Sequence, residues 1–214
     1  DASSLLAASI MAAPGALVIS KIVWPETEVS ETAGTVKLEV KKENANLLDA
    51  ISQGASEGLG VALNVVAMLL GFLALIYLFD YLLAGIGSLW GAHVSLESIL
   101  GYLFSGFAYV MGVPSQDIHA VGGLMGTKLV VNEFVGYLHL KDLISTLQPN
   151  SVVIATFALC GFANFSSIAI QVGGIGKIAP SRRTDLAKLG FKALLCGTLA
   201  NYLSATIAGI MLWF

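Results

Sequence analysis

Charge is scarce in this chain, and the scarcity is concentrated. Only 12% of the 214 residues are charged, against 56% hydrophobic, and three long runs (residues 59–79, 151–176 and 193–214) carry no charged side chain at all. Each run reaches the roughly 20 residues that a helix needs to cross about 30 Å of hydrocarbon. A soluble domain could not cover its surface with so few charges. Period-two alternation is missing as well, which excludes a membrane barrel and leaves helices. The expected fold class is therefore all-α and integral to the membrane. The chain would pass several times through a lipid bilayer, the plasma membrane or the bacterial inner membrane.

Other absences narrow the function. The chain has two cysteines, Cys160 and Cys196, and both fall in apolar runs where a small packing side chain is the natural reading. His93, His119 and His139 are scattered without metal-ligand spacing, so no metal site is expected. No nucleophile elbow, phosphate-binding loop or paired catalytic carboxylates occur, so no catalytic residue is assigned and the chain is not read as an enzyme. No basic patch or aromatic–basic stripe points to nucleic acid. The first residues lack an initiating Met and a basic leader, and the chain is expected to begin partway through a larger protein.

What remains is a succession of apolar segments. Residues 1–23 read as a membrane segment, either a span kinked at Pro14–Gly15 or one cut short at its start. Residues 24–45 form the polar stretch, a cytoplasmic loop of mixed charge. Residues 46–92 read as an interfacial helix turning into a span over 59–79, with Trp90 as an interfacial anchor. Residues 95–113 read as a helix opened by Ser95 as N-cap, with Glu97 in the first turn and Pro114 closing it. Residues 115–143 hold two apolar pieces, each too short to span, which meet near Lys128 and Asn132–Glu133. That is the pattern of a re-entrant hairpin. Residues 151–176 read as a broken membrane helix and 189–214 as a C-terminal span. Between them, the loop 177–188 carries Lys177, Arg182, Arg183 and Lys188 against Asp185. By the positive-inside rule this loop is cytoplasmic and Phe214 lies on the opposite side.

Polar groups inside the apolar runs are the candidates for function. A glutamate at depth costs roughly 2.5–3.5 kcal/mol even on insertion scales, so Glu133 needs a use unless 134–140 is a surface helix. Lys128 either pairs with Glu133 or reaches for the interface. In "GFANFSSIAI", Asn164 and Ser167 are three apart and would share a helix face. Gly161 before them and Gly173, Gly174 and Gly176 after them make the span easy to break. These groups either line a cavity at the break or form hydrogen bonds between helices.

Two stretches resemble the concentrative nucleoside transporter family: "GTKLVVNEFVGY" at 126–137 and "ATFALCGFANFSSIAI" at 155–170. Support comes from "ASIMAAPGALVISKIVWPETE" near the start, "QGASEG" at 53–58 and "IAPSRR" at 178–183. The resemblance implies the second half of an inverted-repeat transporter, with a re-entrant hairpin, a broken helix and a further span. It implies a nucleoside:cation symporter that works by alternating access. By motif position, the nucleoside ribose is bound by Glu133, Asn164 and Ser167, with Phe162 lining the pocket. The base-reading first hairpin and the ligands of the coupling cation, Na+ or else H+, belong to a half the chain lacks. The family also implies a homotrimer. The alternative is a non-transporting gating or assembly subunit of the same fold.

Overall fold

The computed structural model describes residues 2–27, 29 and 45–211. Most of the expected polar loop at 24–45, and the terminal Phe214, lie outside these residues. Eight α-helices follow one another among the described residues: α1 Ala2–Val23, α2 Leu47–Ser88, α3 Leu96–Val110, α4 Ile118–Val130, α5 Glu133–Leu143, α6 Pro149–Cys160, α7 Phe165–Ile178 and α8 Arg183–Met211. A short 3-10 turn, Pro180–Arg182, joins the last two. Among the described residues, four stretches are long and apolar enough to cross a membrane: α1, α2, α6 with α7, and the 3-10 turn with α8.

Helix α1 runs unbroken through Pro14. Helix α2 departs from the expected interfacial helix followed by a span. It is one continuous helix of 42 residues, roughly 63 Å at 1.5 Å per residue. No proline interrupts it, and its N-cap is Asn46, which accepts from Asp49 N at 2.9 Å. Gly54 and Gly58 have no atoms packed beside them that would force a turn. A lone glycine costs a helix only about 1 kcal/mol, so the flanking residues carry the helix through.

Helix α3 begins as the sequence indicates, with Ser95 as N-cap and a capping box completed by Ser98. It packs against α4 at backbone distance. A Cβ on Gly126 would lie 2.7 Å from Gly101 N, and one on Gly122 would lie 2.6 Å from Ser105 N. The Gly122–Gly126 spacing thus serves close helix approach.

Helices α4 and α5 form a hairpin. A Cβ on Gly136 would sit 3.7 Å from Leu124 O, whereas a straight helix would separate residues twelve apart by roughly 18 Å. Both legs of the hairpin open at one end of the molecule, where Asp117 meets Gln148 and Ser151 at the start of α6. The same end holds Gly209 of α8, beside Ile154 and Asn150. At the other end lie the cation–π contact of Lys192 with Trp24 and the approach of Lys177 to Gly60. The main core fills the space between α3, α4, α6 and α8, built on Phe104, Ala108, Met125, Ile154, Ala158 and Tyr202.

Candidate functional site

The 151–176 segment breaks at one place. Helix α6 ends at Cys160, Gly161 is extended (φ −83°, ψ 145°), and Asn164 (φ −148°, ψ 171°) is the N-cap of α7. Asn164 Oδ1 accepts from Ser167 N at 2.7 Å, and Asn164 N donates to Ser167 Oγ at 3.3 Å, which closes a capping box. The break is held from outside as well. The Asn201 amide of α8 lies against Gly161 so closely that a Cβ there would come within 1.9 Å of Asn201 Oδ1. Gly161→Ala should therefore lower stability by about 1–3 kcal/mol, the usual range for overpacking. Thermal unfolding should show much of that loss recovered in Gly161→Ala/Asn201→Ala, where the obstructing amide is gone.

The hairpin tip faces this break. Asn132 caps α5, accepting from Val135 N at 3.0 Å, and Glu133 is the first residue of that helix. Asn164 Nδ2 donates to Glu133 Oε2 at 3.0 Å. The N-termini of α5 and α7 thus meet at one carboxylate, and the positive ends of both helix dipoles favour its negative charge. Asn164 is only 1% exposed and Glu133 half-buried. Helix α6, with 12 residues, places the break roughly 18 Å from its own start.

The hydrogen-bond inventory defines what the site has left to offer. Glu133 can only accept while ionised. Asn164 keeps one amide N–H, because the other goes to Glu133 and its oxygen serves the cap. Ser167 Oγ donates its single proton to Asn164 O at 2.6 Å, so towards a ligand it can only accept. Phe162 is 53% exposed, in the connector two residues before Asn164.

Of the four residues singled out from sequence, the structure brings Glu133, Asn164 and Ser167 together and leaves Phe162 open beside them. Lys128 takes neither of its expected roles. It is 1% exposed, donates to Ala158 O at 2.7 Å, and has no carboxylate within ion-pair distance among the described residues. The hairpin has a further tie to α6 through Tyr137 OH, which donates to Thr156 O at 2.7 Å. The sequence reading also missed the capping box: asparagine is a common N-cap, but Ser167 stands where the usual box has Glu or Gln.

A separate open cleft of about 650 Å³ lies between α3, α4 and α5, lined by Glu97, Tyr102, Ser105, His119, His139 and Asp142 among others. Thr127 donates to Glu97, and Ser105 Oγ lies 3.2 Å from His119 Nδ1. None of the four residues lines this cleft.

A helical hairpin whose tip meets the break of a discontinuous apolar helix is the architecture of half a secondary transporter. The family described as Na+ dependent nucleoside transporter C-terminus matches residues 4–209, and the chain belongs to that family. It is 51% identical over 210 residues to the uncharacterized transporter YutK of Bacillus subtilis, covering 97% of this chain and 52% of that protein. It is 41% identical to the nucleoside permease NupC of Helicobacter pylori, covering 97% of this chain and 50% of the permease. The chain thus spans about half the length of these relatives. Among solved structures, a CNTnw variant in an outward-facing state superposes with a TM-score of 0.87 at 41% identity, covering 98% of this chain and 51% of that one. CNTnw in an inward-facing substrate-bound state gives 0.70 at the same identity, covering 99% and 51%. The helices are therefore arranged more like the outward-facing form.

Proposed function

We propose that this chain is the ribose-binding half of a nucleoside:cation symporter, which imports nucleosides by ion-coupled alternating access. The observation that carries this reading is the contact between Glu133 and Asn164, where the hairpin tip meets the helix break. Two adjacent ribose hydroxyls each need an acceptor and can each accept in turn. The carboxylate and Ser167 Oγ supply acceptors, and the remaining Asn164 N–H supplies a donor. Phe162 offers an apolar face beside them. The family description and the relative named a nucleoside permease support a nucleoside as cargo, and the family description supports sodium, in preference to protons, as the co-transported ion. The same reading takes the whole protein as a homotrimer.

The test is uptake by the full-length protein in proteoliposomes. An inward sodium gradient should drive uridine accumulation above the outside concentration. A proton gradient with equal drive would change the cation only. Absence of both uridine binding and accumulation would leave the gating-subunit alternative standing.

The reading also fixes orientation. The end that carries Lys177, Arg182, Arg183 and Lys192 is placed in the cytoplasm, and the open legs of the hairpin face outward. In a background lacking Cys160 and Cys196, a cysteine at Met211 should react with an impermeant maleimide in intact cells. One at Ser181 should react only after permeabilisation, and the reverse pattern would invert the topology.

A further inference from the structure

The two ends of α6 are held by opposite charges from a single helix. At its start, Asp117, only 5% exposed, accepts from Gln148 N at 2.8 Å and from Ser151 Oγ at 2.5 Å. At its end, Lys128 donates to Ala158 O. Asp117 is the N-cap residue of α4 but forms no side-chain cap to that helix, and Lys128 lies in its last turn. Eleven residues are close to three turns at 3.6 residues per turn, so both side chains emerge from one face of α4. Start meets start and end meets end, so α4 and α6 run side by side in the same direction. The acid therefore sits at the positive ends of both helices and the base at the negative ends of both. Neither has an ion-pair partner among the described residues. The hydrogen bonds to the two ends of α6 and the helix dipoles offset part of the cost of burying these two polar groups.

We infer that Asp117 and Lys128 form a two-ended clamp between α4 and α6, and that Lys128 is the positioning residue that sets Glu133 against Asn164. The chain geometry gives Lys128 this reach. Glu133 lies five residues beyond it, past the hairpin tip, and Asn164 lies six residues beyond Ala158, past the helix break. Lys128 thus ties the last turn of α4 to the last turn of α6, immediately before each chain turns into the site. Asp117 grips the far end, roughly 16 Å away along the helix, and holds the pair together without reaching the site. Lys128 does not touch substrate in this account; it acts through the placement of Glu133.

The inference rests on the ribose-site reading above, and the experiment separates the two. Uridine and 2′,3′-dideoxyuridine affinities are measured calorimetrically on the full-length transporter carrying Glu133→Gln, Lys128→Met, the double substitution, Lys128→Arg or Asp117→Asn. Lys128→Met should weaken uridine about tenfold and 2′,3′-dideoxyuridine, which lacks both hydroxyls, about threefold or less, and should add less than about twofold once Glu133 is already Gln, as expected for coupled residues. Asp117→Asn should lower the unfolding temperature and leave both affinities within about twofold. If Lys128→Met does not fold, Lys128→Arg keeps the charge but misplaces the head group, and it should show the same uridine-selective loss. Losses that multiply in the double variant, or a folded Lys128 variant with wild-type affinity, overturn the positioning role while the ribose site stands. Unchanged uridine affinity in Glu133→Gln overturns the ribose-site reading itself.

Discussion

Asn164→Ala should weaken uridine binding to the whole transporter by roughly 1–3 kcal/mol, the cost of leaving a buried partner group without its hydrogen bond. It should also lower stability by about 0.5–2 kcal/mol through loss of the α7 N-cap. The two effects have separate origins in one side chain. Oδ1 holds Ser167 N, while Nδ2 holds Glu133 and keeps one N–H for a ligand. Asn164→Asp should divide them, because aspartate caps a helix as well as asparagine does but cannot donate to Glu133 and sets a second negative charge against it. Its stability should stay closer to wild type while its affinity falls at least as far as that of the alanine variant. Ser166→Ala is the internal control, since Ser166 forms no part of the capping box, and uridine affinity should be kept. Calorimetric affinities alongside thermal unfolding separate these outcomes. Equal stability losses in Asn164→Ala and Ser166→Ala with unchanged affinity would reduce the cluster to helix packing.

Glu133→Gln should cost at least about tenfold in uridine affinity, close to 1.4 kcal/mol, with protein yield near normal. The amide keeps the shape of the carboxylate, and its oxygen can still take the Asn164 N–H. Its NH2 then faces the ligand as a donor where two acceptor lone pairs stood, so a ribose hydroxyl loses its acceptor. The folded protein loses a favourable charge at the starts of α5 and α7, an effect of roughly 0.3–1 kcal/mol at each. Equilibrium binding to purified protein checks the affinity, and size-exclusion yield checks the fold. Unchanged affinity would remove Glu133 from the site.

The membrane helices were legible because long runs without charge permit nothing else. The break was legible too: Gly161 is a poor helix former, and asparagine followed by serine offers the backbone an alternative to continuing the helix. Glu133 stood out through the cost of placing a carboxylate at depth. The continuity of α2 was hidden, because glycines at 54 and 58 look like a turn in sequence, and only the lack of anything packed beside them shows that they are not. Lys128 was misread because the reading offered it only a carboxylate partner or the interface. Its acceptor is the backbone oxygen of Ala158, thirty residues on, and a main-chain carbonyl leaves no mark on residue identity. The grip of Asp117 on α6 was hidden for the same reason. Ser167 was placed on a shared helix face with Asn164, whereas Asn164 stands just outside the helix as its cap.

The central claim is that ribose is held where the hairpin tip meets the helix break. A structure of the full-length protein with uridine bound tests it most directly. The account predicts ribose hydroxyls within hydrogen-bond distance of Glu133 and Asn164, with Phe162 beside the ligand. Uridine seated in the cleft between α3, α4 and α5, against Glu97 and His119, would contradict it.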